Sequence, residues 1–401
     1  MKQFAAEPLG MPAERGYGYA QFEFGESVGD ANSKQYTILR KLGWGMHSST
    51  WLAREEVGKR FVAIKALTGH MTRMNEKDIS WEIDALWLLS ARDAAHPLSP
   101  HCVRLLDKFT VPGRGSAGSH LCFVLPVYGG DVNALLSSRT APFELATAKR
   151  IILHLLRGIA HAHNRDVVHG DIKQDNIFFA TSLEDADIEC WIEEDPARRH
   201  PPETSHDGIV HVAVSQPLPM ISDEVSARTT YVLADFGCAV PSMLHRGEAR
   251  TAVTLRAPES FLGGKWDKPA DIWSFGCMVY ELVASEILFV YAVSKMLNLT
   301  KDENLLYQML LYTGESSFRA EQLNVCPRAS EYFDASGELK KRPLVFFWPL
   351  ESRIQAHFPD MPDPEVDGMA FFIRRCLCLN PDERATAEEL LQDPWLAGVD
   401  E

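Results

Sequence analysis

Short apolar runs separated by turn residues fill the first part of the chain, and they predict β-strands. The runs are only a few residues long and rich in β-branched and aromatic residues, as is typical of strands in a sheet. Residues 75–90 instead carry Trp81, Ala85, Leu88 and Leu89 at helical spacing, which predicts one amphipathic helix. The predicted strands are Tyr36–Leu42, Ser49–Ala53, Phe61–Lys65, Val103–Thr110 and Leu121–Val127.

Helical periodicity takes over in the later part of the chain. Leu145, Ile152, Leu156 and Ile159 fall on one face of a long helix predicted over residues 143–164. The remaining predicted elements are helices over 131–137 and 271–284, strands over 177–180 and 231–234, and an irregular insert over 299–350 with few regular elements.

The length and the order of these elements predict two lobes. The 401 residues exceed the roughly 100–200 typical of one domain. A small β-rich lobe with one helix is expected over 36–128 and a larger helical lobe over 129–398, which together make an α+β fold. Residues 1–35, rich in Gly, Glu and aromatics, are expected to be a leader packed on the first lobe. The acidic, proline-rich segment 181–230 is expected to be a partly disordered insertion in the second lobe.

The negative net charge of the chain restricts the classes of partner that it is expected to bind. The formal net charge of −15 disfavours a nucleic-acid or anionic-membrane surface and suits basic partners. The eight cysteines form no C-x-x-C pair, and no apolar run is long enough for a membrane helix. We therefore expect a cytoplasmic or nuclear monomer that binds neither nucleic acid nor membrane. His154, His161 and His163 have no carboxylate or cysteine at ligand spacing, so they are interpreted as ordinary helix residues.

The polar turn that follows Val167-Val168 carries the most specific chemistry. It reads H-x-D-x-K-x-x-N and contains Asp171, Lys173 and Asn176. Phosphoryl transfer needs a carboxylate to orient the attacking hydroxyl, a cation to neutralise the moving phosphoryl group, and an oxygen ligand for a metal ion. The three side chains supply these parts. Taken alone, the same string could be an ordinary polar loop.

Two upstream patterns add nucleotide-binding candidates. Gly43, Gly45 and Ser48 form a G-x-G-x-x-S turn between two strands, where backbone N–H groups could cover phosphates, although a plain hairpin turn would look the same. Lys65 closes an apolar strand in the string V-A-I-K, where it could grip phosphates. Such a lysine needs an acidic partner on the following helix. Glu82 is the best candidate, Glu76 and Asp84 are alternatives, and an ordinary exposed helix charge is the plain interpretation.

Further motifs follow in order. Tyr128-Gly129-Gly130 indicates a hinge where adenine could meet backbone groups. Asp235 stands at a strand end in the tripeptide D-F-G, where a carboxylate could hold Mg²⁺ between phosphates. An A-P-E string at 257–259 precedes the buried helix that opens at Asp271.

These ordered motifs resemble those of a eukaryotic protein kinase over about residues 36–398. Within that superfamily the chain is most similar to the SR-protein kinases of the CMGC group. The resemblance implies the bilobal protein kinase fold. It also implies that Glu259 and Arg384 form a buried ion pair in the helical lobe. The residues that carry the finer likeness are Arg15–Tyr19, Lys41–Gly45, Arg256, Lys268–Ser274 and Tyr332–Leu339.

The resemblance also implies roles for individual residues. Asp171 would be the catalytic base and Lys173 would stabilise the transferred phosphoryl group. Lys65, steadied by Glu82, would bind the phosphates of ATP. Asn176 and Asp235 would hold Mg²⁺, Leu125 would be the gatekeeper, and the backbone of Pro126 and Tyr128 would meet adenine. The implied substrate is serine in basic, Arg/Ser-rich proteins.

One departure from the family pattern concerns regulation. Gly170 replaces the arginine of His-Arg-Asp, so no arginine is available there to pair with a phosphorylated activation loop. Thr251 and Thr254 are the predicted phosphate acceptors in that loop, residues 238–257. We hypothesise that activity does not require loop phosphorylation.

Two other classes of protein remain as alternatives. A small-molecule phosphotransferase also shows H-G-D…N, but the A-P-E string and the helix at 271–276 argue against it. A pseudokinase would keep the fold as a binding module, but Lys65, Asp171, Asn176 and Asp235 are all present.

Overall fold

The computed structural model describes residues 4–30, 34–91, 99–244, 249–315, 317–343 and 349–399. Contacts divide the described residues into two compact units. The first unit takes its residues from 1–93, 103–130 and 178–230, and the second from 94–102, 131–177 and 231–401. The first is rich in strands and the second in helices, as the sequence predicts.

The strands, numbered along the chain, are β1 (Ser27–Gly29), β2 (Gln35–Trp44), β3 (Ser48–Glu55), β4 (Phe61–Leu67), β5 (Asp107–Pro112), β6 (Ser119–Leu125), β7 (Tyr128–Asp131), β8 (Val167–Val168), β9 (Ile177–Ala180), β10 (Glu203–Ser205), β11 (Gly208–Val210), β12 (Tyr231–Leu233) and β13 (Val240–Pro241). The α-helices are α1 (Gly69–Glu76), α2 (Glu82–Ser90), α3 (Val132–Ser137), α4 (Leu145–His163), α5 (Asp185–Glu194), α6 (Asp223–Ser226), α7 (Pro258–Phe261), α8 (Lys268–Ala284), α9 (Lys301–Thr313), α10 (Ala320–Asn324), α11 (Ala329–Tyr332), α12 (Leu350–His357), α13 (Asp363–Cys376) and α14 (Ala387–Leu391). Short 3₁₀ helices span Ala13–Arg15, Gln174–Asn176, Phe236–Cys238, Val253–Leu255, Pro381–Glu383 and Pro394–Leu396.

An antiparallel six-stranded sheet organises the first unit, in the order β1-β2-β3-β4-β6-β5. Alternating apolar residues of its strands, such as Ile38, Trp51 and Ile64, are buried in one cluster. Residues of the leader join that cluster, and the Phe22 ring meets the Trp51 ring edge-on at 5.5 Å between centroids. The leader is thus part of the core of this unit.

The segment predicted as a partly disordered insertion in the second lobe is folded on the first unit instead. Its helix α5 begins with a capping box formed by Glu184 and Asp187. The guanidinium of Arg40, a fully buried residue of β2, lies 3.8 Å from the centre of the Trp191 ring and donates to the carbonyl of Asp195. The segment is polar on average, yet its Ile188 and Leu218 are buried in one cluster with Leu52 and Phe61 of the sheet. The prediction of partial disorder was wrong because it was based on the average composition of the segment.

Two helical predictions need correction. The single helix predicted over 75–90 is two helices, because Asp78 takes a left-handed conformation (φ 55°) between α1 and α2. The irregular insert predicted over 299–350 contains α9, α10 and α11, and α9 starts at a capping box made by Thr300 and Glu303. Residues 316 and 344–348 of that prediction lie outside the described residues.

Long buried helices form the centre of the second unit. Nearly every residue of α8 from Asp271 to Ala284 is buried, and α4 buries most of its length. The predicted ion pair is confirmed: Arg384 donates to both oxygens of Glu259, at 2.7 and 2.6 Å. His154 is also partnered, since its Nδ1 accepts from the backbone N–H of Tyr231 at 3.2 Å. Among the described residues, no helix combines the length and the apolar character needed to cross a membrane.

Glu281 on α8 makes stability depend on pH. Burial raises the pKa of Glu281 from 4.5 to about 7. The folded state therefore holds this proton more tightly than the unfolded state, and stability falls as pH rises through the window from 4.5 to 7. Glu281→Gln should raise the free energy of unfolding at pH 8 by on the order of 1–2 kcal/mol. Urea titrations at pH 5 and pH 8 measure the effect.

The matched control is Glu321→Gln, which changes an exposed glutamate of α10. It should leave the pH profile as in the wild type. A Glu281→Gln protein with the wild-type difference between pH 5 and pH 8 would contradict the assignment.

Candidate active site

A buried ion pair lies beside the sheet of the first unit. Lys65 sits on β4, opposite Thr50 of β3 and Phe123 of β6. Its Nζ lies 2.5 Å from Oε1 of Glu82, and the Glu82 side chain is only 4% exposed. Glu82 opens α2, whereas the alternatives Glu76 and Asp84 are exposed. The lysine is therefore held in place by the carboxylate that the sequence analysis preferred.

The turn between β2 and β3 is tight and open to its surroundings. The N–H of Gly45 donates to the carbonyl of Ser48 at 2.9 Å and closes the turn. A Cβ added at Gly43 or Gly45 would meet no atom within 4 Å. The packing of the protein itself therefore leaves room for side chains at both positions.

The predicted hinge residues follow β6 in the same unit. Leu125 ends β6 opposite Ala63, and Tyr128 begins β7 after Pro126. The ring of Phe179 packs so closely on Gly129 that any side chain there would collide with it. This contact explains the glycine that follows Tyr128.

The polar turn of the second unit brings three of the predicted residues together. Nζ of Lys173 lies 2.6 Å from Oδ2 of Asp171. Nδ2 of Asn176 donates to that same oxygen at 3.1 Å and to the Asp171 carbonyl at 2.8 Å. The 3₁₀ helix Gln174–Asn176 folds the chain back so that residues five apart can meet. Because Nδ2 faces Asp171, the amide oxygen of Asn176 points elsewhere.

Charges around Lys173 keep it protonated. Burial by itself would lower the pKa of Lys173, but its hydrogen bond to Asp171 and the charges of Asp171, Asp175 and Asp235 outweigh burial and raise that pKa. Asp235 is exposed and has a left-handed backbone (φ 58°) at the start of the 3₁₀ helix Phe236–Cys238. Such a conformation is uncommon for a residue other than glycine and often marks a functional position.

Asp271 on α8 holds this turn in place through hydrogen bonds to its backbone. Its Oδ1 accepts from the N–H of Gly170 at 2.8 Å. Its Oδ2 accepts from the N–H of His169 at 2.8 Å and from Nε2 of His163 at 3.0 Å. Burial would raise the pKa of Asp271, but the His163 hydrogen bond, the two imidazoles and the Gly170 N–H lower it. The carboxylate thus stays ionised although it is buried.

His169 joins the turn to the segment that carries Asp235. Its Nε2 lies 3.0 Å from the carbonyl of Ala234, which can only accept, so the proton is on Nε2. Its Nδ1 accepts from the N–H of Asp171 at 3.2 Å. The ring also meets Phe236 edge-on at 4.7 Å. The imidazole therefore connects the backbone at Asp171 to the backbone just before Asp235.

Sequence reasoning did not assign functions to Asp271 and His169. A signal for Asp271 was available, because an aspartate inside an otherwise apolar, buried helix must find hydrogen-bond partners. The role of His169 could not be found this way, since it depends on which backbone atoms its two nitrogens meet.

The segment before A-P-E is bonded to the same turn. Gly170 has φ 73°, and a Cβ there would lie 3.0 Å from the carbonyl of Cys238, so this position suits glycine. The hydroxyl of Thr251 donates to the Gly170 carbonyl at 2.7 Å. Arg256 donates in turn to the Thr251 carbonyl at 2.8 Å.

These contacts correct one prediction. The sequence predicts Thr251 as a phosphate acceptor, but Thr251 is only 6% exposed and its hydroxyl is already engaged. Thr254 is partly exposed. Residues 245–248 of the predicted activation loop lie outside the described residues.

Comparisons with known proteins define the class. Residues 36–189 and 219–396 match the protein kinase domain family. A crystal structure of a kinase domain superposes on 94% of this chain with a TM-score of 0.64 at 18% sequence identity, a likeness that concerns the fold alone. The chain therefore belongs to the protein kinase family, and the predicted fold class is confirmed.

Individual relatives narrow the resemblance. The chain is 29% identical to the serine/threonine-protein kinase SRPK of Physarum polycephalum, over 93% of this chain and 88% of the relative. It is 27% identical to a serine/threonine protein kinase of Aspergillus fumigatus, over 92% and 86%. It is 23% identical to protein kinase dsk1 of Schizosaccharomyces pombe, over 95% and 84%.

These matches confirm the predicted resemblance to SRPK-type kinases. The chain is a serine/threonine protein kinase. The family implies the use of ATP and a protein substrate. The matching family and the relatives named above are protein kinases, which argues against a small-molecule phosphotransferase.

Proposed function

We propose that this kinase transfers the γ-phosphoryl group of magnesium-bound ATP to serine in Arg/Ser-rich proteins. The observation that carries the proposal is the arrangement of Asp171, Lys173 and Asn176 around one carboxylate oxygen. These are the three kinds of side chain that phosphoryl transfer requires, in hydrogen-bond contact with one another.

Asp171 is the proposed catalytic base. Lys173 and Asn176 both donate to its Oδ2, which orients the carboxylate so that Oδ1 can accept the hydroxyl proton of a serine. The same contacts hold the ammonium of Lys173 beside the base, where its positive charge stabilises the phosphoryl group as it moves. Asp271 and His169 keep the backbone of this turn in place.

The first unit supplies the proposed nucleotide-binding residues. Lys65 offers an ammonium to the α- and β-phosphates, and Glu82 holds it in position. The open space at Gly43 and Gly45 fits a turn whose backbone must approach phosphates closely, with Ser48 at its end. Leu125, Pro126 and Tyr128 form the edge at which adenine would meet backbone N–H and C=O groups.

Asn176 and Asp235 fit a magnesium ion. The Asn176 amide nitrogen is engaged by Asp171, which leaves its oxygen as the donor atom for a metal, and the Asp235 carboxylate is exposed. Magnesium prefers oxygen ligands and shares them with phosphates. When bound, the ion would neutralise charge on the β- and γ-phosphates.

The substrate class rests on the relatives and on charge. The Physarum relative is named as an SRPK, and this chain matches it along most of its length. The net charge of −15 favours encounter with a basic polypeptide and disfavours an acidic one. Arg/Ser repeats present the serine hydroxyl between positive charges, which suits an acidic enzyme.

Replacing the proposed base tests the mechanism. Asp171→Ala should lower kcat for an Arg-Ser repeat peptide by at least about 100-fold, the lower end of what a positioned general base contributes. The dissociation constant for ATP should stay within a factor of about two, because the role of Asp171 is to position the hydroxyl. Radiolabelled phosphate transfer and calorimetric titration measure the two quantities.

Asp175→Ala is the matched control, because Asp175 is an exposed aspartate in the same turn. It should keep most of the wild-type kcat. Retained turnover in Asp171→Ala would remove the assigned base. Wild-type preference for a Ser-Pro peptide over the Arg-Ser peptide would contradict the substrate class.

Activation by loop phosphorylation is the second point to test. The Thr251 hydroxyl and Arg256 already bond the loop to the catalytic turn, and Gly170 offers no cation for a phosphate. Protein treated with a phosphatase should therefore keep its kcat, and Thr254→Ala should match it. Phosphate transfer measured before and after treatment checks this. A large loss of activity on phosphatase treatment, restored by phosphorylation, would contradict the account.

A further inference from the structure

A leader tyrosine contacts the glycine turn directly. The hydroxyl of Tyr19 donates to the carbonyl of Gly45 at 2.8 Å and to that of Met46 at 2.9 Å. Tyr19 is buried, with only 3% of the residue exposed. Its ring meets the Trp44 ring edge-on, at 6.0 Å between centroids. One hydroxyl proton is thus shared between two consecutive carbonyls of the turn.

This contact sets the direction of the N–H groups in the turn. In a planar trans peptide, the C=O of one residue and the N–H of the next point to opposite sides. The carbonyls of Gly45 and Met46 both face the Tyr19 hydroxyl, so the N–H groups of Met46 and His47 face away from it. Backbone N–H groups of a glycine-rich turn are the groups that can bind phosphates.

Tyr19 is itself held rigidly. The carbonyl of Gly18 accepts from the N–H of Gly69 at 2.7 Å, which ties the leader to the start of α1. The Tyr19 ring packs in a buried cluster with Leu9, Val210 and Val212. Nearer the N-terminus, Glu7 of the leader forms a fully buried ion pair with Lys41 on the strand that enters the turn.

The hydroxyl also remains a donor at physiological pH. Burial raises the pKa of Tyr19 to about 12, and the charges of Glu7 and Tyr17 act in the same direction. The proton that the two carbonyls share is therefore retained throughout the range in which the kinase would work.

We propose that Tyr19 is a positioning residue for the nucleotide phosphates. Acting through the Gly45 and Met46 carbonyls, it presents the N–H groups of the glycine turn to the phosphates. The leader would then be a working part of the nucleotide site. This inference rests on the proposed function, because it takes the turn between β2 and β3 as the phosphate-binding turn.

Tyr19→Phe tests the inference, because it removes the hydroxyl and keeps the ring in its cluster. The dissociation constant for a non-hydrolysable ATP analogue with magnesium should rise about five-fold, the effect of one neutral hydrogen bond. The dissociation constant for adenosine, which has no phosphate, should not change. Calorimetric titration at a temperature below both melting points measures both constants.

The matched control is Tyr36→Phe. The Tyr36 hydroxyl is also engaged, donating to Asp107 at 2.8 Å. Tyr36 stands near the start of β2, at the opposite end of that strand from the turn. It should lower the melting temperature while leaving both dissociation constants unchanged. A purely structural role for Tyr19 would give the same result as this control.

Wild-type affinity of Tyr19→Phe for the analogue, or an equal loss for the analogue and adenosine, would overturn the inference. The titrations contain no peptide, so they separate it from the substrate proposal. A wild type that binds the analogue but does not phosphorylate an Arg-Ser peptide would overturn the proposed function alone. A wild type that binds no analogue would overturn both.

Discussion

The buried carboxylate of Asp271 is the group on which the polar turn that carries Asp171 depends. It accepts from two consecutive backbone N–H groups, those of His169 and Gly170, and from the imidazole of His163. A buried charge is costly unless donors satisfy it, and these donors are groups that would otherwise be buried without partners. The carboxylate and the turn therefore stabilise each other. Asp171 is the residue after Gly170, so the contacts of Asp271 also fix the position of the Asp171 backbone.

The same turn is also bonded to the segment that precedes A-P-E. In many switchable enzymes a phosphate on such a segment creates new ion pairs that order it. Here the Thr251 hydroxyl and the Arg256 guanidinium make neutral or backbone contacts that order it without an added phosphate. The glycine at position 170 fits this scheme, because its left-handed backbone and the nearby Cys238 carbonyl leave little room for a larger residue.

In the first unit, two distant segments of the chain support the same strand. The leader and the segment 178–230, which are far apart along the chain, both contribute side chains to the clusters packed on the sheet of this unit. They converge on β2, where Arg40 contacts α5 and Lys41 binds Glu7 and the carbonyl of Ala213. The strand that enters the glycine turn is thus supported from both segments.

Much of this could be predicted from the sequence, for reasons that can be traced to particular residues. Period-two and helical patterns located the strands β2–β6 and the helices α3, α4 and α8, but not α5–α7 or α9–α14. The fixed spacing within H-x-D-x-K-x-x-N brought Asp171, Lys173 and Asn176 together because the contacts are local. Contacts between distant segments could not be predicted in this way. The placement of residues 181–230 depends on a few apolar side chains within polar surroundings, and the break at Asp78 depends on a single backbone conformation. The burial of Thr251 and the reach of Tyr19 depend on tertiary packing.

The activity of Asp271→Asn tests the central claim most directly. This substitution keeps the size of the side chain but replaces one acceptor oxygen with a donor that faces N–H groups. At a temperature where the variant is folded, kcat for an Arg-Ser peptide should fall at least about ten-fold, because Asp171 loses its support. The dissociation constant for ATP should stay near the wild-type value. A folded Asp271→Asn enzyme with the wild-type kcat would contradict the account.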